Sequence, residues 1–270
     1  MTFPDLALAR RLERAEGFAC AQYASAQKQI SPETGAEWME CGGAFVVFNG
    51  KDSPITQTFG LGLFDKLTDA SLETIERFFF DRGAPADHEV SPFAGADALN
   101  FLCKRGYRPV EISNVLYRRV EAIPALQDGN ISVRIAGADD AQLWTDISAR
   151  GWSSDHPELL DFIRRMGAIS AARGQTICFL AEIDGQPGAA GALCVYERVA
   201  LFCGAATVPE LRRRGLQAAL LQARFAYAAE HGYDLAMMVA EAGSNSQRNA
   251  ERQGFRVAYT RMKWRLALPK

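Results

Sequence analysis

The chain has 270 residues, 48% hydrophobic and 23% charged, which leaves room for two modest domains with packed cores. A net charge of −2 excludes a general attraction to nucleic acid or to an anionic membrane, so any anion site has to be local. The longest apolar run, "GAAGALCVYERVALFCGAATV", is broken by Glu197 and Arg198 and cannot span a bilayer.

At the N-terminus, "MTFPDLALARRLERAEGFAC" lacks a signal-peptide core and a small-residue cleavage site, and reads as an amphipathic surface helix. Cys20, Cys41, Cys103, Cys178, Cys194 and Cys203 show no CxxC spacing. Three of them lie in apolar, strand-like segments where a free thiol acts as a small hydrophobe, so a reducing cytoplasm is expected. His88, His156 and His231 are far apart and away from the cysteines, and no metal is expected. The string Gly60-Leu61-Gly62-Leu63-Phe64-Asp65 lacks the third glycine of a dinucleotide fingerprint and reads as a loop after a strand. Next comes "AGADALNFLCKRGYR", residues 94–108, which returns as "AGSNSQRNAERQGFR", residues 242–256. Ala, Gly, Gly and Arg coincide at 94/242, 95/243, 106/254 and 108/256, with Tyr107 opposite Phe255. A strand-like segment follows each copy, and we read the chain as a duplicated domain. The turn-rich stretch from Glu121 to Asn130, with Pro124 and Gly129, is the linker, giving domains 1–125 and 126–270.

The second half has the clearer order. "ISVRIA" predicts a strand and "DDAQLWTDISAR" a helix. "DHPELLDFIRRMGAI" predicts another helix, with Asp155, Pro157 and Glu158 as its N-cap, first-turn proline and capping-box acid. "TICFLAEI", "AAGALCVYE" and "VALFCGAATV" read as an antiparallel meander. An arginine-rich loop, the helix "LQAALLQARFAYAAEHG", the strand "YDLAMMVAE", the short helix "NSQRNAERQG" and a last strand follow. This is an α/β fold of the α+β kind, a mixed sheet with helices on both faces.

The loop "VPELRRRGLQAAL" makes an odd local choice. Arg212, Arg213 and Arg214 stand just before a helix start, where the dipole disfavours each cation by roughly 0.3–1 kcal/mol. Unpaired N–H groups and positive potential at a helix N-terminus suit a phosphate, and Gly215 lets a ligand approach the backbone. The alternative is a solvated basic turn. No GxxxxGK[ST] string and no GxSxG elbow occurs.

Residues 131–266, about this loop and its flanks, resemble the GCN5-related N-acetyltransferase (GNAT) superfamily. That family's [Q/R]-x-x-G-x-[G/A] signature reads here Arg212-Arg213-Arg214-Gly215-Leu216-Gln217, followed by Ala218, with Gln217 departing from the usual small residue. The family flanks "VPE" and "NAERQGF" are also in place. The first half shares the tail but has "FGLGLFDKLTDASLETI" at the loop position, with Asp65 and Asp69 and no arginine, so it resembles a degenerate copy. The resemblance implies two tandem acyl-CoA N-acyltransferase-like (GNAT) domains, the second one binding acetyl-CoA as co-substrate.

The resemblance further implies direct acetyl transfer from acetyl-CoA to a primary amine, of a small molecule or a peptide, in a ternary complex. Arg212, Arg213, Arg214, Gly215, Leu216, Gln217 and Ala218 would cradle the pyrophosphate. Ala206, Thr207 and Val208 would receive the pantetheine arm like an added strand, with the Val208 N–H polarising the thioester carbonyl. Asn249 and Ser244 would bond the arm. The amine has to lose a proton, and Glu241 and Glu197 are the candidate bases. The family's leaving-group tyrosine would fall at position 250, which is Ala250; Tyr259, Tyr233 and Tyr227 are the remaining nearby tyrosines. Trp152, Trp38 and Phe202 are candidates for an acceptor pocket, and Cys203 and Cys194 for an acyl-cysteine. A monomer or homodimer without nucleic-acid or membrane partners is expected. The alternative is an acyl-CoA-binding sensor or interaction protein without catalysis.

Overall fold

A computed structural model describes residues 3–121, 129–154, 157, 160–172 and 176–269. The expected linker residues 122–128, including Pro124, and the expected helix-capping Asp155 and Glu158 lie outside the described residues. The chain divides into two compact units. Unit 1 comprises Met1–Leu116, Val239–Gln247 and Arg256–Lys270, and unit 2 comprises Tyr117–Met238 and Arg248–Phe255.

Unit 1 opens with helix α1, Leu6–Ile30, whose start is fixed by the Asp5 side chain accepting the Leu8 N–H at 2.8 Å. Strands β1 (Glu37–Cys41) and β2 (Ala44–Phe48) form a hairpin through Gly42 and Gly43, both at positive φ as a two-residue turn requires. Strand β3 (Gln57–Phe59), helix α2 (Asp69–Phe80), strand β4 (Ala86–Val90), helix α3 (Gly95–Lys104) and strand β5 (Arg108–Arg119) follow. The sheet order is β1-β2-β3-β4-β11-β5, where β11 (Arg256–Leu266) is the last strand of the chain. β11 runs antiparallel to β4, from Met262 opposite Val90 to Leu266 opposite Ala86. The core gathers Leu72, Ile75, Phe79, Leu102 and Trp264.

Ionic contacts as well as the ladder hold β11 in unit 1. Arg261, 2% exposed, meets Glu13 of α1 at 3.1 Å, Glu16 at 2.7 Å and Glu89 of β4 at 3.1 Å. The Tyr259 hydroxyl donates to Glu13 at 3.0 Å. Burial raises the Glu13 pKa from its ordinary carboxylate value against the opposing pull of Arg261, and burial does the same to Glu89.

Unit 2 runs β6 (Ile131–Ile135), α4 (Ala141–Ser153), α5 (Leu160–Ala172), β7 (Thr176–Ile183), β8 (Gln186–Tyr196), β9 (Val199–Thr207), α6 (Leu216–Glu230) and β10 (Leu235–Glu241, to Met238 in this unit), and takes in α7 (Asn245–Arg252) from Arg248 on. Its sheet order is β10-β9-β8-β7-β6. β6 to β9 are antiparallel neighbours, and β10 is parallel to β9. This is the meander followed by β-loop-α-β that the sequence predicts. Phe202, Phe225 and Phe255 form an aromatic centre, with ring centroids 5.0–5.9 Å apart.

The repeated stretches have one local geometry. Gly95 and Gly243, and likewise Gly106 and Gly254, all stand at φ between +77° and +92°. The Tyr107 N–H returns to Leu102 O at 3.0 Å and the Phe255 N–H to Ala250 O at 3.1 Å, closing α3 and α7 in the same way. The halves 1–125 and 126–270 are a division of the sequence, whereas the compact units cut the chain elsewhere and assign β11 to the first unit.

Candidate functional site

Strand β9 leads into the arginine loop and is unusual over its last half. Its register with β8 shifts between Ala190 and Ala192, next to Gly204 at φ +60°. Its parallel ladder with β10 covers only Val199, Ala200 and Leu201. Residues 202–207 therefore run on with β8 as their ladder partner among the described residues. Helix α4 presses on this segment through Gly151, where a Cβ would meet Ala206 Cβ at 2.7 Å and Thr207 N at 3.0 Å.

The Val208 N–H donates to Gly188 O at 2.9 Å. That bond ties the end of β9 to β8, at the amide expected to polarise a thioester. Strand alternation turns the Thr207 amide the other way. After Val208, a turn at Pro209–Leu211 buries Leu211 beside Gly188 and brings the three arginines round.

The three arginines have different surroundings. Arg212 faces the protein. Its guanidinium donates to Gly151 O at 2.8 Å, Ser154 Oγ at 2.6 Å and, through Nε, Thr207 O at 3.3 Å. Gly151 O is among the last carbonyls of α4, the negative end of a helix, so this cation answers α4 rather than an anion at α6. Arg214 is exposed and meets Asp184 at 3.4 Å. Arg213 is exposed at φ +61°, and no carboxylate among the described residues lies within 4.0 Å of it.

Helix α6 begins at Leu216 behind an exposed Gly215 at φ +92°, a backbone shape that suits glycine. No side chain caps this helix. Gln217, the departure from the family signature, sends its side-chain amide to Thr207 Oγ1 at 2.8 Å and so ties the first turn to the end of β9. Leu216 is buried and Ala218 half-buried. The uncapped α6 start with Gly215, Arg213 and Arg214 fits a pyrophosphate in chemistry, offering backbone N–H donors, a favourable dipole and two cations.

Unit 1 provides the contrast. Helix α2 closes its own N-terminus: Thr68 Oγ1 accepts the Ser71 N–H at 3.1 Å, and Ser71 Oγ accepts the Thr68 N–H at 3.0 Å. The preceding loop is filled by Leu61 and Leu63, each 2% exposed, and Arg10 donates to Leu63 O at 2.7 Å.

Of the two candidate bases, Glu197 sits at φ +50° in the two-residue β8–β9 turn, exposed, at the opposite end of β9 from the loop. Eight residue steps of strand, at ~3.3 Å each, separate the two ends of β9 by about 25 Å. Glu241 is exposed at the end of β10, and its carbonyl accepts the Ser244 N–H at 3.2 Å. Ser244 Oγ accepts the Gln247 N–H at 3.2 Å, which starts α7. Asn249 is half-buried on α7, and Ala250 is fully buried. Among the tyrosines, Tyr259 is bonded to Glu13 and Tyr227 is stacked on His231 at 3.8 Å. Phe202 is core, Trp38 packs on Phe45 in unit 1, and Trp152 is 36% exposed. A cavity of about 320 Å³ lined by Ile135, Trp144, Thr176 and Tyr227 opens at the β6 end and β7 start, away from the loop end of β9. No group of three metal-ligating side chains occurs among the described residues, and no helix among them is long and apolar enough to cross a membrane.

Against known proteins, residues 115–242 match the family model described as an acetyltransferase (GNAT) domain. A search of curated proteins returns no match. Among solved structures, the chain is similar to a GCN5-related N-acetyltransferase from Kribbella flavida, at TM-score 0.62 and 18% identity over 91% of this chain and 95% of that one. A GCN5-related N-acetyltransferase from Sphaerobacter thermophilus follows at 0.56 and 17%, over 99% and 95%. A tandem GNAT protein from the clavulanic acid biosynthesis pathway matches at 0.54 and 12%, over 83% and 74%. At these identities the shared property is the fold.

Proposed function

From a chain that carries a GNAT acetyltransferase domain over residues 115–242 within a GNAT fold, we propose an N-acetyltransferase that moves an acetyl group from acetyl-CoA to a primary amine of a small molecule or peptide. One observation carries this reading: α6 starts without a side-chain cap behind Gly215 at φ +92°, flanked by the exposed Arg213 and Arg214. The N–H groups of the first α6 turn, from Leu216 to Ala218, and those two cations would hold the pyrophosphate. Ala206 and Thr207, past the point where β10 stops pairing, would align the pantetheine arm, with Asn249 a further contact for it. When bound, acetyl-CoA supplies the activated acyl group as a thioester. The chain's own contribution is to hold that thioester in line with the amine, which turns a two-body encounter into a positioned one. Glu241 is proposed as the base that takes the amine proton. The 1–125 half is proposed as a copy that no longer holds coenzyme, since its corresponding helix is self-capped and its loop filled with leucine.

The test is calorimetric titration of acetyl-CoA into the full chain, beside Arg213→Glu/Arg214→Glu and, separately, Gly215→Pro, which cannot take a φ near +92°. Micromolar binding by the parent that falls at least tenfold in both variants is the expected result. Absence of binding by the parent would overturn the proposal. A second reading, an acyl-CoA-binding protein without turnover, is favoured by one feature: Ala250 is buried where the resembled family carries its acid tyrosine. Tight binding with no coenzyme release across a panel of amines would select it.

A further inference from the structure

Three cysteines line one face of the unit 2 sheet. Alternation places Thr176 and Cys178 of β7 on the same side, and Ala192 and Cys194 of β8 stand directly opposite them in the reverse order. On β9, Cys203 is the partner of Ala192. Cys194 and Cys203 are therefore diagonal neighbours on adjacent antiparallel strands, and their sulfurs are 3.8 Å apart. Cys194 is buried and accompanied by Thr176 Oγ1 at 3.6 Å, whereas Cys203 is half-buried and reachable from solvent.

A buried cation stands on the other face of the same strands, toward α6. Arg224 of α6 is 1% exposed, donates to Ala192 O at 3.2 Å and to Leu220 O at 3.1 Å, and lies over the Phe202 ring at 4.9 Å. Gly191 makes room for it, since a Cβ there would sit 3.4 Å from the guanidinium carbon. No carboxylate among the described residues lies within 4.0 Å, so the charge is not neutralised at contact distance. Burial lowers Arg224 to about 10, and the Cys203 sulfur opposes that shift. The thiolate is the form of Cys203 that reacts.

We propose that Cys194 and Cys203 form an oxidation site, a dithiol that a peroxide converts reversibly into an intramolecular disulfide. The Cys203 thiolate attacks one peroxide oxygen, the O–O bond breaks, and the departing hydroxide leaves as water after taking a proton, with a sulfenic acid left on Cys203. The Cys194 sulfur then attacks the Cys203 sulfur, the S–O bond breaks, and a second water leaves with the Cys194 proton. Two thiols and one hydrogen peroxide give one disulfide and two waters, and two electrons pass from sulfur to oxygen. The sulfurs have to close from 3.8 Å to about 2 Å. Diagonal strand neighbours are near the far limit for a disulfide, so the bond is strained and easily reduced again, as a reversible modification requires. It would staple β8 to β9 immediately before Gly204, on the strand that leads to Arg212. The inference does not depend on coenzyme binding.

The experiment treats the full chain, reduced and freed of reductant, with hydrogen peroxide, then alkylates and digests it with trypsin. Cleavage after Arg198 separates the two cysteines into residues 174–198 and 199–212. The expected result is an intact mass lower by about 2 Da, a loss of two alkylatable thiols, and those two peptides joined by a bond that dithiothreitol breaks. Because Cys178 shares the first peptide, the joined pair must persist in Cys178→Ala and vanish in both Cys194→Ser and Cys203→Ser. A linkage through Cys178, six thiols still alkylatable after treatment, or Cys203 running on to a sulfinic acid equally fast with and without Cys194 would each overturn the proposal.

Discussion

His88 gives unit 1 a pH dependence whose size can be worked out. Its ring is fully buried on β4, beside Phe79 at 6.5 Å and Tyr107 at 4.9 Å between centroids. The Tyr107 hydroxyl donates to Glu76 Oε1 at 3.0 Å, so the 2.9 Å contact with His88 Nε2 requires the imidazole to be the donor. Burial is the main cause that lowers its pKa from 6.5 to about 3, with the Asp87 backbone opposing it. The unfolded chain therefore takes up a proton that the folded chain refuses. The stabilisation is complete above pH ~6.5 and is lost as the pH falls through 6.5 towards 3. At pH 5 the linkage gives a loss of about 2 kcal/mol relative to pH 8. His88→Gln keeps an N–H donor for Tyr107 and removes the titration. Urea unfolding of both proteins at pH 8 and pH 5 isolates the histidine, because other titrating groups contribute equally to each. The parent should lose about 2 kcal/mol more than the variant between the two values. Equal losses would refute the reasoning, and so would a larger loss in the variant.

Three further expectations concern named residues. Arg212→Ala removes hydrogen bonds to Gly151 O and Ser154 Oγ and should cost about 1–3 kcal/mol in urea unfolding, with acetyl-CoA affinity falling less than in Arg213→Glu/Arg214→Glu. Arg261→Met leaves Glu13, Glu16 and Glu89 without their shared cation and should cost about 3–5 kcal/mol at pH 8. That loss should shrink at pH 5.5, because burial has already raised Glu13 and Glu89 and a proton bound in the folded state then adds stability. Glu241→Gln should lower acetyl transfer at least tenfold with unchanged coenzyme binding, whereas Glu197→Gln should leave both unchanged, as thiol release and calorimetry would show.

Much of the fold could be read from local chemistry. The coincident glycines of the two repeats mark positions where the chain needs positive φ, and each supports the same helix-to-strand turn. The meander of unit 2 was legible because its strands are apolar runs, adjacent in sequence and separated by short turns. The place of β11 was not. Its alternating pattern says that it is a strand, but its pairing with β4 goes with contacts of Arg261 to Glu13 and Glu89, which are far apart in sequence and invisible to a local pattern. The strain at Glu197 and the commitment of the Val208 amide also depend on partners across β8, which no local pattern reveals.

The arginine triplet shows how differently three adjacent charges can be placed. Read along the chain, Arg212, Arg213 and Arg214 all stand at the positive end of α6, and one anion explains all three. In space the first faces a different helix end. Arg212 turns back to the C-terminal carbonyl of Gly151, where a cation is favoured by the same dipole that disfavours it at α6. Arg214 is shared with Asp184 at a surface distance that contributes little, roughly 0–1 kcal/mol. Only Arg213 stands exposed with no carboxylate at contact distance among the described residues. A pyrophosphate at the start of α6 would therefore meet one uncommitted cation, one loosely held cation and the backbone N–H groups of an uncapped helix. Arg212 contributes indirectly, by holding α4, β9 and the loop in one frame. The charge-reversal and Gly215→Pro variants should then weaken binding through different causes, loss of potential in the first and loss of the amide cradle in the second. Raising the salt concentration separates them: it should narrow the gap between the parent and the charge variant while leaving the Gly215→Pro defect unchanged.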